Sequence, residues 1–390
     1  HNWENEMKKI ICGLILLFLI SLMNLNAQWA RTYGSYDDDV AYSIQQTSDG
    51  GYIVVGQTAS YRTGTDDFDA WIIKLFSTGA VEWQRTYGGP DDDCFEAVQE
   101  TSDGGYIVAG YTESFGAGYK DLWVLKLKSK GDVEWQWTYG GSAEDYAFGG
   151  NYFDEARPIS VKETSDGGYI VAGCTQSFGV QRSDVWILKL TSTGAITWQK
   201  TYGYPISDEV YSILETSDGG YLAVGTSPER ALDIGLLKLK ATGDIEWQKA
   251  YGGNSSGDYA SSIQQTSDGG YIVAGSTYSF GAGYSDVWIL KLKSTGDIEW
   301  QRAYGGSNSD NARTIKQTSD GGYIVAGYTL SFGAGYQDAW VIKLTSAGSI
   351  EWQRTFGGSN GGDMAHSIEE TSDGGYIVAG YTNSFGAEDF

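Results

Sequence analysis

Residues 266–275 read Thr-Ser-Asp-Gly-Gly-Tyr-Ile-Val-Ala-Gly. With small changes the stretch occurs seven times, beginning at Thr47, Thr101, Thr164, Thr216, Thr266, Thr318 and Thr371. Its aspartates, Asp49, Asp103, Asp166, Asp218, Asp268, Asp320 and Asp373, are spaced by 54, 63, 52, 50, 52 and 53 residues. A period of this kind means one supersecondary unit repeated, and it decides the fold before any single motif does.

The unit at 258–306 shows how it folds. Asp258 to Gln265 mixes apolar and amide residues, and Asp268-Gly269 is a hairpin signal between two strand patterns. Tyr271 to Gly275 is continuously apolar, as is Asp286-Val-Trp-Ile-Leu-Lys-Leu292, so both read as strands covered on two faces. After the turn at Ser294-Thr-Gly296, Ile298, Trp300, Arg302 and Tyr304 alternate with Glu299, Gln301 and Ala303, the period of a half-exposed strand. Four antiparallel strands per repeat, with no helical period after the first residues, predict an all-β chain of propeller blades.

The pattern TYGG-x-x-x-D-x-A-x-x-I-x-x-x-x-DGGYIVAGYT…D-x-W-x-x-K-L…G resembles the bacterial β-propeller repeats of the SBBP type and, more distantly, the NHL and YVTN propellers. The resemblance covers roughly residues 28–390 and implies a fold, with the Ile-Gln-Gln strand innermost and the Trp-Gln-Arg strand outermost. Those families share no common activity, so no catalytic residue is carried over.

Innermost strands are expected at Ile44, Val98, Ile159, Ile213, Ile263, Ile315 and Ile368, and third strands at Trp71, Trp123, Trp186, Gly235, Trp288 and Trp340. Outer strands are expected at Trp29, Trp83, Trp135, Trp198, Trp247, Trp300 and Trp352. The expectation is therefore a seven-bladed β-propeller of four-stranded antiparallel blades. The N-terminal strand closes the ring, and the last blade is truncated, its third strand due to start at Asp389. A longer array with blades or further domains beyond residue 390 is the alternative.

Met7, Lys8 and Lys9 lead into an apolar run, Ile10 to Met23, that is short for a bilayer span and ends at Ala27. This reads as a signal peptide over 7–27, with residues 1–6 upstream of the start methionine and the propeller at 28–390. A retained anchor is the alternative. The expected protein is thus secreted or at the cell surface, with no membrane insertion once the signal is removed.

Removing residues 1–27 leaves the formal charge of −24 unchanged, because Glu4 and Glu6 cancel Lys8 and Lys9. That charge argues against nucleic acid and anionic membranes and favours cationic partners or divalent metal. Cys94 and Cys174 are read as two buried thiols, a bridge between neighbouring units being the alternative.

An aspartate stands five residues before each expected innermost-strand residue: Asp39, Asp93, Asp154, Asp208, Asp258, Asp310 and Asp363. These are expected to ring a channel mouth, where they hold Ca2+ or a cationic ligand, or simply bond loop amides. The last reading carries more weight for a residue present in every blade. Asp37, Asp39, Asp91 and Asp93 are the metal candidates, although they lack calcium-loop spacing, and no cofactor is otherwise expected.

Departures from the repeat carry the ligand expectation. An insertion around 142–153 bears Tyr146, Phe148, Tyr152 and Phe153; the next loops bear Arg182, Glu229 and Arg230. Exposed aromatics with polar neighbours on a rigid scaffold suit a sugar or peptide. No catalytic residue is assigned. Gly253 to Gly257 matches G-x-S-x-G, but in a repeat loop and with His366 in another blade. The sequence therefore reads as a non-catalytic binding, adhesion or interaction module for an extracellular protein or carbohydrate. The alternatives are an extracellular carbohydrate hydrolase or lyase using mouth carboxylates, and a spacer in a larger surface protein.

Overall fold

The computed structural model describes residues 14–20, 29–35, 37–62, 67–145, 159–179, 183–203, 209–226, 233–253 and 257–384. Every element among them is a strand, and no helix there is long and apolar enough to cross a membrane. Six blades are each built from four consecutive antiparallel strands, over 39–87, 93–139, 160–202, 210–251, 258–304 and 310–356. In blade five the strands are Asp258–Gln265, Tyr271–Thr277, Asp286–Leu292 and Ile298–Tyr304, paired in that order.

Among the described residues six repeats each make a complete blade, where a seven-bladed ring with a truncated last blade was expected. There the seventh repeat supplies Asp363–Glu370 and Tyr376–Thr382. These continue into a composite four-stranded sheet through Leu14–Ile20 and then Ala30–Tyr33. Leu14–Ile20 belongs to the segment expected to be a leader. It takes the third-strand place in the pairing, and its sequence is apolar throughout, close to that of the third strands of the other blades.

Burial follows the patterns along the repeat. Second and third strands of blade five are buried throughout, the first is buried at about every third residue, and the fourth is mostly exposed. Ile298 departs from the expected alternation and is 43% exposed. A bulge between Lys291 and Leu292 shifts the register there, so Ile298 leaves the face that Trp300 and Tyr304 share. The core lies between blades. Leu222, Val224 and Leu236 of blade four, for example, pack on Tyr271, Val273, Trp288 and Leu290 of blade five. Burial of this kind stabilises by roughly 25 cal/mol per Å² of apolar surface.

Polar bonds tie the ring together at each hairpin. Ser48 donates its amide and hydroxyl to the two carboxylate oxygens of Glu100, at 2.7 and 2.8 Å. Ser102 does the same to Glu163, Ser165 to Glu215 and Ser319 to Glu370. The amides of Ser217 and Ser267 bond Gln265 and Gln317. Finally the Ser372 amide donates to Gln46 Oε1 at 2.8 Å, which joins the last repeat to the first blade.

One sequence expectation shifts register. In blade three Val161, not Ile159, pairs with Val171 as Ile44 pairs with Val54. Counting back from Thr164 places the strand two residues later than expected.

Candidate functional site

The loops that join second to third strands, and those that enter each first strand, share one face. Ser331 accepts from the Asn308 amide at 3.0 Å, and Ser177 from the Ala143 amide at 3.0 Å. In four blades the phenylalanine of the Ser-Phe-Gly loop packs on the tryptophan of the third strand. The pairs are Phe115–Trp123, Phe178–Trp186, Phe280–Trp288 and Phe332–Trp340, with ring centroids 5.2–5.8 Å apart. Gly116, Gly281 and Gly333 follow with φ of 110°, 106° and 104°, a left-handed conformation that favours glycine. The loop is thereby anchored, and its terminal tyrosine points away. Tyr119, Tyr284 and Tyr336 are each 77% exposed.

The aspartates expected at the channel mouth do not face it. Asp39, Asp93, Asp258, Asp310 and Asp363 are fully buried. Asp258 accepts Thr277 Oγ1 at 2.5 Å, Ser279 Oγ at 2.8 Å and the Gly253 amide at 3.0 Å. Asp310 is held the same way by Thr329, Ser331 and the Gly306 amide, and Asp363 by Thr382, Ser384 and the Gly358 amide. Burial pushes the Asp39, Asp93 and Asp363 carboxyls above their ordinary range, against these hydrogen bonds. Each of these carboxylates staples an incoming loop to its own blade. For the five described aspartates the expected open mouth ring is therefore corrected, and the loop-bonding alternative, given more weight above, is the one observed.

In blade three the anchor is Asp145, which accepts the Thr175 hydroxyl and the Gly141 and Ser177 amides. Asp154 and Asp208 lie outside the described residues. The sequence signal was available: Tyr139-Gly-Gly-Ser-Ala-Glu-Asp145 aligns with Tyr87-Gly-Gly-Pro-Asp-Asp-Asp93, which puts the insertion after the anchor. Tyr146, Phe148, Tyr152, Phe153, Arg182, Glu229 and Arg230 also lie outside the described residues, as does Ser255 of the G-x-S-x-G match. Asp37 forms a 3.7 Å ion pair with Arg62. Among the described residues no three acid, histidine or cysteine side chains converge as a metal cluster. Cys94 and Cys174 are both buried, as thiols and not as a disulfide.

The axis carries a second polar array, which the sequence reading missed. Tyr42 packs on His366 at 5.3 Å, and His366 on Tyr381 at 5.8 Å. Burial, then Arg313, lowers the His366 imidazole to about 3, so it is neutral at physiological pH. Lower in the channel, Lys162 is brought down to about 8 by burial, then by Lys316, with Glu369 opposing. Lys316 pairs with Glu369 at 2.6 Å. The available signal was variation at the fourth and seventh residues of the first strand, where Tyr42, Glu96, Arg313 and His366, or Gln45, Lys162, Lys316 and Glu369, alternate between copies.

No protein-family model matches this chain, and no curated protein does. Among solved structures it is similar to the WD40 domain of Neurospora crassa Pan2, at 11% identity over 87% of this chain and 88% of that one, with a TM-score of 0.53. Drosophila Plexin A in complex with Semaphorin 1b follows at 8% identity, 87% and 84% coverage and a TM-score of 0.48. Sqt1 from Chaetomium thermophilum follows at 13%, 85% and 75%, with 0.46. At these identities the first likeness shows a propeller fold and nothing about activity.

Proposed function

We propose that the protein is an extracellular binding or adhesion module that takes a carbohydrate or protein ligand on its loop face. The observation that carries this reading is the set of tyrosines Tyr119, Tyr284 and Tyr336, each 77% exposed at the end of an anchored loop. A monomer has no packing reason to present the same aromatic ring repeatedly to water, whereas a sugar face or an extended peptide stacks on such rings. Repetition adds avidity, since several weak contacts on a rigid ring act together.

Residues 7–27 act in this reading as the secretory leader, so that the exported protein lacks the strand Leu14–Ile20, and the repeats act as SBBP-type blades. In sequence the inserted segment with Tyr146, Phe148, Tyr152 and Phe153 follows Asp145, and Arg182, Glu229 and Arg230 fall where later copies also depart from the repeat. In this reading these residues tune selectivity, because they are where the copies differ. The glycoside-cleaving alternative is less well supported: the five described first-strand carboxylates are buried and bonded to loop hydroxyls and amides.

The test is a glycan array and a pull-down of extracellular proteins with the intact chain, then with Tyr119, Tyr284 and Tyr336 changed together to alanine. Capture should fall at least tenfold while thermal stability stays within about 0.5 kcal/mol, the usual range for exposed positions. Capture unchanged by the triple substitution would move the site away from these loops.

A further inference from the structure

At several junctions among the described residues two buried aspartates come together, one beginning a third strand and one at or just before the next blade's first strand. The Asp145 amide donates to Lys120 O at 2.7 Å and the Asp310 amide to Ser285 O at 2.7 Å, which sets Asp145 beside Asp121 and Asp310 beside Asp286. The glycine between them shows how the carboxylates converge. A Cβ on Gly140 would collide with Asp121 Oδ1 and lie 3.0 Å from Asp145 Oδ2. On Gly305 it would collide with Asp286 Oδ1 and lie 2.7 Å from Asp310 Oδ2. On Gly88 it would lie 2.6 Å from both Asp69 Oδ1 and Asp93 Oδ2.

The two carboxylates of a junction are not equally satisfied. Asp145 and Asp310 are filled by hydroxyl and amide donors, as described above. Asp121 Oδ2 accepts the Ala117 and Gly118 amides at 2.6 and 3.2 Å, and Asp286 Oδ2 accepts Ala282 and Gly283 at 2.8 and 3.1 Å. The other oxygen, Oδ1 of Asp121 and of Asp286, is buried, has no hydrogen-bond partner among the described residues and lies against the same glycine as the neighbouring aspartate's Oδ2. Both residues are 1% exposed. Among the described residues no lysine or arginine forms an ion pair with Asp121, Asp145, Asp286 or Asp310; the neighbouring Lys120 pairs with Glu113 and Lys291 with Asp268 and Glu299. What does surround the junction is oxygen: a Cβ on Gly118 would lie 2.8 Å from Gly141 O, and one on Gly283 would lie 2.7 Å from Gly306 O.

An orphaned carboxylate oxygen facing a second buried carboxylate needs a positive charge. We propose that the junctions at Asp121–Asp145 and Asp286–Asp310 bind a divalent cation of the calcium class. Calcium takes carboxylate and carbonyl oxygens in flexible numbers, completed by water, whereas magnesium demands a tight octahedron. Two carboxylates per site place the affinity in the weak extracellular class, on the order of 0.1–1 mM. Because each site joins two blades, the cation stabilises the ring and does not contact the proposed ligand.

The test uses the intact chain stripped with a chelator and titrated with CaCl2, MgCl2 or TbCl3 at neutral pH. Calcium should raise the melting temperature by several degrees with a midpoint in the range above, and magnesium should do less. Trp123 and Trp288 lie two residues from Asp121 and Asp286, so tryptophan excitation should sensitise terbium emission that calcium displaces. The double variant Asp121→Asn, Asp286→Asn should lose most of both signals, yet melt in chelator no lower than the parent, because it removes two uncompensated charges. A folded parent that shows neither a calcium-dependent shift nor terbium emission would overturn the proposal, the pair then sharing a proton. So would a calcium response that the double variant keeps in full.

Discussion

At the scale of single residues, the repeated turn is a folding device built around one lysine. Lys291, 3% exposed, reaches from the third strand to Asp268 of the turn at 2.8 Å and to Leu292 O at 3.3 Å. Lys74, Lys126, Lys189, Lys238 and Lys343 repeat the arrangement with Asp49, Asp103, Asp166, Asp218 and Asp320. Although burial opposes it, hydrogen bonds from Lys291 and Thr266 hold the Asp268 carboxyl at about 2, and the other five stand at about 2 as well. A carboxyl depressed in the folded state contributes stability above its unfolded value, near 3.9, that is lost as pH falls through the folded value. Asp39, Asp93, Asp121 and Asp363 are raised by burial and act with the opposite sign, costing stability as pH rises through their folded values. In chelator the denaturation midpoint should therefore peak at mildly acidic pH and fall steeply between about pH 4 and pH 2. A midpoint flat across that range would contradict this account. Lys343→Ala should cost about 1–3 kcal/mol in urea titration by stranding the partners of the buried amine, and Lys343→Met should recover only the part owed to the stem.

At the scale of strands and loops, the sequence was legible wherever burial alone decides structure. The two covered strands announced themselves as apolar runs, and the Asp-Gly turn as a hairpin. The buried lysine was equally visible, as the one charge in an apolar strand such as Asp286 to Leu292, but its partner becomes clear only once the turn folds back beside it. The aspartate ring was misplaced for a related reason: spacing says that a residue recurs, whereas its threonine and serine partners sit about twenty residues away and meet it only in the sheet. Blade four shows loop and strand acting as one unit. It lacks the Ser-Phe-Gly loop and has Gly235 in the tryptophan register, opposite Gly225 as Trp288 is opposite Gly275. Loss of the anchor ring and loss of its seat go together. In blade five, Trp288→Ala should cost about 3–5 kcal/mol, the range for a fully buried aromatic, and should loosen the loop carrying Tyr284. Phe280→Ala should cost less, yet loosen the same loop. Hydrogen exchange over 279–285 checks both, and a loop unaffected by Phe280→Ala would refute the anchoring role.

At the scale of the molecule, two kinds of closure are separable. The first strands close the ring without the composite sheet's outer half: Ser372 bonds Gln46, and Ser367 Oγ accepts the Ile44 amide at 3.3 Å. The outer half depends on Leu14–Ile20, which pairs with Tyr376–Thr382 along seven residues and with 30–33 on its other edge. At the register position where the other blades place the lysine stands Leu19, opposite Ile377 as Lys291 is opposite Ile272. The strand completes the sheet but cannot supply the amine for the seventh turn. Neighbouring latches reflect the same asymmetry. Tyr251 and Tyr304 each donate a hydroxyl to the next blade's hairpin glycine, Gly296 and Gly348, at 2.5 Å, whereas the last complete blade ends in Phe356. A chain that begins at Gln28 should therefore stay folded as a ring, with amide protection unchanged at Ile44 and Ile315 and sharply reduced over Tyr376–Thr382, the strand left with an open edge. It should also self-associate through that edge at high concentration, because an unpaired apolar strand recruits another. Global loss of protection on removing residues 1–27 would mean that the composite sheet, not the inner ring, closes the propeller.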